Sequence, residues 1–207
     1  MKRYLFFIFF IIILSSLALA HQPRIPTQDY TIVNNPTISQ AFYTELQGNE
    51  HYYEISSEEP FTLYVSLLVP LLENIETDLT LEVLHNEEII LTLNGLEYEW
   101  TEYYEEHAGD YYLEGPDEEL EVEPGTYIVT ISSGDNQGKY VFVTGKEESF
   151  PFNEILKTVI IMPKLKMYFN KSPLQAYTTP TMLLFLLPVL TIIALITLAV
   201  YFLVKRK

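Results

Sequence analysis

The sequence predicts an all-β ectodomain, an antiparallel β-sandwich, followed by a juxtamembrane helix and one C-terminal transmembrane helix. Between residues 38 and 146, short runs of strand-forming residues recur about every 8–12 residues, with polar turns between them. Helical periodicity first becomes clear after residue 150. Residues 182–204 carry no charge, and a helix of that length is expected to cross the roughly 30 Å hydrocarbon core of a bilayer.

The N-terminus has the features of a secretory signal peptide at residues 1–20. Two basic residues precede a short apolar stretch, and an A-x-A cleavage site follows it. We therefore expect residues 21–181 to be exported. The basic residues 205–207 are expected to stay in the cytoplasm. Together these features predict a single-pass protein of the cell membrane, with the N-terminal domain outside and the C-terminus cytoplasmic.

The exported part begins with a segment of little regularity and continues as a series of strands. Residues 21–37 hold three prolines and no clear periodicity, which predicts a loose N-terminal arm. The β-sandwich is predicted at 38–146, and a polar break at 85–87 indicates a hairpin turn within it. The predicted strands are Gln40–Leu46, Tyr52–Ile55, Phe61–Leu67, Leu79–Leu84, Glu88–Leu93, Tyr127–Ile131 and Tyr140–Val143.

The end of the predicted sandwich resembles a known type of domain. Pro124–Val129, a polar turn and then Gly138–Val143 resemble the closing hairpin of bacterial and archaeal pre-peptidase C-terminal (PPC-like) domains, in which a PGTY strand precedes a G-x-Y strand. The resemblance covers about residues 48–145 and implies a jelly-roll-like β-sandwich. It also implies an accessory role in binding or spacing. A long acidic and aromatic insert between Asn94 and Glu123 departs from the pattern.

The insert holds the candidate site. Its segment Glu97–Glu123 contains twelve acidic residues, five tyrosines and the only tryptophan of the chain. Tyr98 and Trp100 are two residues apart, which predicts that they share one face of a strand. The aromatic candidates for ligand or partner binding are Tyr98, Trp100, Tyr103, Tyr104, Tyr111 and Tyr112.

Four interpretations of this segment remain open. Aromatic rings with carboxylates could bind a glycan, or the segment could be an acidic docking surface for a basic protein. A third interpretation is a Ca²⁺ site, because Ca²⁺ takes six to eight oxygen ligands. The candidate ligands are Asp110, Glu114, Asp117, Glu118 and Glu119. In the fourth, the aromatic residues cap the core and the acids are only solvated. No other cofactor is predicted.

A helix is predicted within residues 147–181, before the span. Pro163 is expected to end or kink it. Two placements are open: the helix lies on the outer surface of the bilayer, or it packs against the open end of the sandwich. Its predicted apolar face consists of Ile155, Leu156, Val159 and Ile160.

Composition excludes several classes of function. The chain has no cysteine, which removes thiol catalysis and requires packing alone to stabilise the exported domain. All 28 acidic residues but only seven lysines and arginines lie within 21–181, a balance that opposes nucleic-acid binding. No catalytic motif of the common hydrolase, nucleotide or zinc classes occurs. We therefore predict that the protein is not an enzyme.

The sequence predicts a membrane-anchored interaction protein. Its acidic β-sandwich is expected to bind a protein or glycan partner at the cell surface. An alternative is an accessory subunit of a membrane complex, recognised through the span and the segment Phe150–Phe169. In that case the sandwich would serve as a cover.

Overall fold

The computed structural model describes residues 21–105 and 108–205, except for the side chains at 181, 184, 187 and 188. The predicted signal peptide at 1–20 and the last two residues of the predicted tail lie outside the described residues. Within the described ranges, eleven strands form two sheets that face each other as a β-sandwich.

One sheet has six strands. All neighbours in it pair antiparallel except its first two strands, which are parallel. Their spatial order is β1 (Gln22–Arg24), β3 (Gln40–Gln47), β11 (Gln137–Thr144), β5 (Phe61–Pro70), β9 (Asp110–Val122) and β8 (Thr101–Glu105).

The other sheet has five strands. Again the first two neighbours pair parallel and the others antiparallel. Their spatial order is β2 (Tyr30–Val33), β4 (His51–Ser57), β10 (Gly125–Ser132), β6 (Thr80–His85) and β7 (Glu88–Asn94). All seven strands predicted from the sequence are therefore confirmed, as β3 to β7, β10 and β11.

The main core fills the space between the two sheets. Side chains alternate along each strand, so every second residue points into this space. In β10 the inward residues are Tyr127, Val129 and Ile131, and all three are buried. Phe42 and Phe142 from the six-stranded sheet stack within the same core, with ring centroids 5.9 Å apart.

The prediction of a loose arm at 21–37 is wrong, because this segment contributes one strand to each sheet. β1 pairs with β3, and β2 pairs with β4. Pro23 is tolerated in β1 because that strand lies at the edge of its sheet, where the missing N–H removes no hydrogen bond between strands.

The two predicted hairpins have different outcomes. β6 and β7 form a hairpin, and Asn86 and Glu87 at its turn have φ of 52° and 67°, as a type I′ turn requires. The prediction that β10 and β11 form a closing hairpin is wrong. β10 pairs with β4 and β6, whereas β11 pairs with β3 and β5 in the other sheet. The polar turn after Ser132 therefore connects the two sheets.

The acidic insert is an integral part of the six-stranded sheet. Its β9 has 13 residues and lies between β5 and β8. The pairing of β9 with β5 changes register between Ser66 and Leu68. Such a β-bulge interrupts the alternation of side chains, which explains why this strand was not evident from the sequence.

A helix, α1 (Phe152–Tyr168), covers the outer face of the six-stranded sheet. It packs on the face of the sheet, so the predicted contact with an open end of the sandwich is wrong. Pro163 lies inside the helix and does not end it. The predicted apolar face is also displaced, because Leu156 and Ile160 are exposed. The buried face carries Glu154, Thr158, Met162, Leu165, Lys166 and the following Phe169.

A short 3₁₀ helix (Pro173–Thr178) connects α1 to a second helix, α2 (Pro180–Lys205). The first turns of α2 belong to the folded domain, because Met182 and Phe185 are buried. Among the described residues, no helix meets the length and hydropathy required of a membrane span.

A buried histidine couples the stability of the fold to pH. His51 is buried, and its Nδ1 lies 2.8 Å from the Tyr140 hydroxyl. Burial lowers the pKa of His51 below its ordinary value of 6.5, although the carboxylate of Asp29 opposes this shift. The unfolded chain therefore binds a proton more readily than the folded protein does. The stability associated with neutral His51 is present above pH 6.5 and is lost as the pH falls through the folded pKa.

We expect acidification from about pH 7.5 to about pH 5 to lower the urea midpoint of the wild type more than that of His51→Gln, which has no imidazole to protonate. The measurement is urea unfolding at both pH values, followed by near-UV circular dichroism. Equal changes in the two proteins would contradict this role of His51.

Candidate functional site

The candidate residues lie mainly on two paired strands at one edge of the six-stranded sheet. The register of β8 and β9 places Tyr103 opposite Tyr112 and Tyr104 opposite Tyr111. Because side chains alternate, the two pairs project from opposite faces of the sheet. The Tyr103–Tyr112 face is the one covered by α1.

Tyr104 and Tyr111 form a partly exposed aromatic pair. Their ring centroids are 4.6 Å apart, and the residues are 45% and 46% exposed. Tyr98, just before β8, is also exposed. Exposed tyrosines combine a large rigid surface with a hydroxyl group, the combination enriched at binding interfaces. The Tyr104–Tyr111 pair is named the tyrosine surface.

Tyr112 has a different environment and is a structural residue. It is buried, its hydroxyl lies 3.1 Å from that of Tyr43, and its ring packs edge-on against Phe169 at 5.0 Å. Burial raises the pKa of Tyr112 well above its ordinary value. Its cross-strand neighbour Tyr103 is exposed, with ring centroids 6.4 Å apart. Tyr112 thus connects the sheet to the helical layer.

Trp100 packs against the sandwich core. Its Nε1 donates a hydrogen bond to the Gly95 carbonyl at 2.8 Å. A Cβ atom at Gly115 would overlap the indole ring, so a glycine at that position leaves room for it. Neither Tyr98 nor Trp100 lies in a strand, and the prediction that they share a strand face is wrong. Trp100 is half-buried, whereas Tyr98 is exposed.

Asp110 holds the helical layer on the sheet. Its carboxylate is 1% exposed and accepts hydrogen bonds from Lys166 at 2.6 Å and Lys171 at 2.7 Å. The Lys166 side chain is itself only 2% exposed, and its ammonium also donates to the Ala108 carbonyl. Both oxygens of Asp110 therefore have cationic partners, and this candidate calcium ligand is an internal ion-pair residue.

The other candidate calcium ligands follow one another along β9. Glu114, Asp117, Glu118 and Glu119 are exposed, and Glu119 forms an ion pair with Lys146. Across the residues that the structure describes, no group of three or more His, Asp or Glu side chains is arranged to hold a metal ion. The predicted set is thus not brought together with Asp110.

A second ion cluster, which the sequence did not reveal, lies at the start of α1. Glu154 accepts hydrogen bonds from Arg24 at 2.8 Å and Lys157 at 2.7 Å. Burial raises the pKa of Glu154, but the hydrogen bond from Lys157 and the nearby charge of Arg24 outweigh burial, so the net shift is downward. Arg24 belongs to β1, so this cluster fastens the helix to the N-terminal strand.

The two sheets define the chain as a β-sandwich protein. Neither a comparison with protein families nor one with curated protein sequences gives a match. The pre-peptidase C-terminal domain of collagenase from Bacillus anthracis is structurally similar, with a TM-score of 0.34 and 9% identity over 60% of this chain and 95% of that chain. A β-glucosidase from Kluyveromyces marxianus has a TM-score of 0.27 and 18% identity over 63% of this chain and 14% of the enzyme. Because both TM-scores are low, the assignment of a β-sandwich rests on the two sheets themselves.

Proposed function

We propose that this protein is a non-enzymatic interaction protein of the cell surface, anchored by α2, and that its β-sandwich binds a cationic protein segment at the tyrosine surface. The observation that carries the proposal is the partly exposed Tyr104–Tyr111 pair on β8 and β9. These two rings lie on strands rich in carboxylates, in a part of the chain without lysine or arginine between Arg24 and Lys139.

The chemistry of the tyrosine surface favours a cationic ligand. Arginine and lysine side chains are attracted to the faces of aromatic rings, and carboxylates on the same strands add charge complementarity. Partly exposed aromatic residues are also the residue type that contributes most to many protein interfaces. A glycan would use the same rings by stacking, and it is the second ligand class to be tested.

The membrane anchor in this proposal is supported by the sequence and by the exposure of α2. Residues 182–204 have no charge, and the large apolar side chains from Val189 to Val204 are exposed. Apolar side chains exposed all around a helix are stable in hydrocarbon, where the helix satisfies its own backbone groups. The PPC-like character of the sandwich remains part of the proposal. It is supported by the PGTY and G-x-Y sequences at Pro124–Val129 and Gly138–Val143, and not by a hairpin between them.

Replacing both rings of the pair, Tyr104→Ser with Tyr111→Ser, is expected to weaken binding of an immobilised Arg-Gly peptide about tenfold or more. The free energy of unfolding should change by no more than about 1 kcal/mol, because the pair is exposed and near the sheet edge. The measurement is surface binding of the full chain in detergent micelles at low and high salt, with a glycan panel in parallel.

The matched control is Tyr30→Ser, because Tyr30 is 47% exposed but lies on β2 of the other sheet. Binding of Tyr30→Ser should equal that of the wild type. Equal binding by all three proteins would reject the tyrosine surface as the site. Loss of glycan binding without loss of peptide binding would identify the ligand as a sugar.

A second candidate function is an accessory subunit of a membrane complex, recognised through its helices. The observation that favours it is the exposed apolar residues on α1, of which Phe152 and Ile160 are 71% and 67% exposed. Replacing only the exposed residues 189–204 with polyleucine, which keeps the buried Met182 and Phe185, separates the two functions. An accessory subunit would lose its partner, whereas an anchored interaction module would keep peptide binding.

A further inference from the structure

The helix α1 has two faces of unlike chemistry. The face on the sheet is fixed by polar and ionic contacts through Glu154 and Lys166 as well as by apolar packing. The opposite face is apolar along one side and basic along the other, with Lys157 and Lys164 on the basic side. Its exposed apolar residues are Phe152, Leu156, Ile160 and Met167.

Contacts between the helices locate this exposed face relative to α2. The ring of Phe150, just before α1, lies 6.0 Å from that of Phe185. Phe185 is buried, whereas the large apolar side chains from Val189 onward are exposed. The beginning of α1 is therefore next to the point where α2 leaves the folded domain.

Two ion clusters hold α1 and the segment after it on the sandwich, and each contains two cationic side chains for one carboxylate. Arg24 and Lys157 bind Glu154, and Lys166 and Lys171 bind Asp110. The Lys157 side chain is still 57% exposed. Lys157 is in the second turn of α1, near the end of the helix that lies next to α2, and Lys164 is exposed farther along the same side of α1.

We propose that the exposed face of α1 rests on the surface of a bilayer containing anionic lipids, with Phe152 and Leu156 among the headgroups and Lys157 and Lys164 paired with lipid phosphates. This inference rests on the proposed membrane anchor and adds a second contact to it. Apolar side chains flanked by lysines are typical of helices that lie in the membrane interface. Lysine stems can cover apolar surface while the ammonium groups reach the headgroups.

The absence of native cysteine allows the contact to be measured on the full chain with single cysteine labels. An environment-sensitive NBD fluorophore is attached at Leu156→Cys, and the protein is reconstituted in vesicles of phosphatidylcholine and phosphatidylglycerol. A label at Ile89→Cys, exposed on β7, is the reference for a site in water. A label at Val200→Cys tests whether α2 is inserted in the bilayer. We expect blue-shifted emission and several-fold weaker iodide quenching at 156 and 200 than at 89.

Each other result overturns a defined part of the inference. If the label at 156 is quenched like that at 89 while 200 is protected, the α1 contact fails and the anchor stands. If 200 is also quenched, the anchor fails together with the contact. Protection at 156 that grows with the protein-to-lipid ratio indicates a second copy as the occupant. Protection that is unchanged in phosphatidylcholine alone rejects the role of anionic headgroups.

Discussion

Replacing Asp110 with asparagine is expected to lower the free energy of unfolding by about 3–5 kcal/mol, because it leaves the buried Lys166 ammonium without its counter-charge. The loss should appear as a lower guanidinium midpoint of the full chain in detergent micelles. Faster proteolysis between α1 and α2 should accompany it, since Asp110 also binds Lys171 just after α1.

Two variants make this result specific. Adding Lys166→Met to Asp110→Asn should restore most of the stability, because it removes the buried ammonium, while the Lys171 side chain is 35% exposed and remains in contact with water. Glu114→Gln is the matched control, since Glu114 is exposed on the same strand, and it should change stability by no more than about 0.5 kcal/mol. If Asp110→Asn costs no more than Glu114→Gln, the ion cluster does not hold the helical layer on the sheet.

Trp100→Ala is expected to cost about 3 kcal/mol, the low end of the range for a buried tryptophan, because the ring is half-buried. The variant loses the hydrogen bond to the Gly95 carbonyl and opens a cavity above Gly115. Chemical unfolding of the full chain, followed by near-UV circular dichroism, measures the change.

Tyr98→Ala provides the contrast, because Tyr98 is exposed and its removal should cost less than about 1 kcal/mol. Trp100→Phe retains a ring at the same position and should recover part of the loss. Unchanged stability in Trp100→Ala, together with loss of peptide binding, would show that Trp100 is a binding residue and that its packing role is minor.

Two of the predicted strands show a regular alternation of buried and less buried residues. β4 and β10 carry inward apolar residues at every second position, so local pattern alone identifies them. β1 has only three residues and includes a proline, and its parallel partner β3 is not its neighbour in sequence. Its pairing depends on the tertiary structure, which no local pattern reports.

The candidate site was predicted in composition but not in arrangement. The insert singled out from the sequence contains these residues, yet they have separate environments: Tyr104 and Tyr111 are exposed, while Tyr112 and Asp110 are buried under the helix. The partner of Asp110, Lys166, is 56 residues away, and nothing in the local sequence links the two. Burial of a charged pair is decided by which elements pack together, and that is a long-range property of the chain.

The six-stranded sheet is covered on both faces, by the five-stranded sheet on one and by α1 on the other. The protein therefore has three layers, whereas its strands alone would form two. Val141 and Val143 of β11 face α1, while Phe142 faces the other sheet. A fragment ending at residue 146 would contain every strand that the structure describes, yet it would expose one apolar face of the sheet and remove both lysine partners of Asp110. The smallest self-sufficient unit of this protein therefore extends through the first turns of α2.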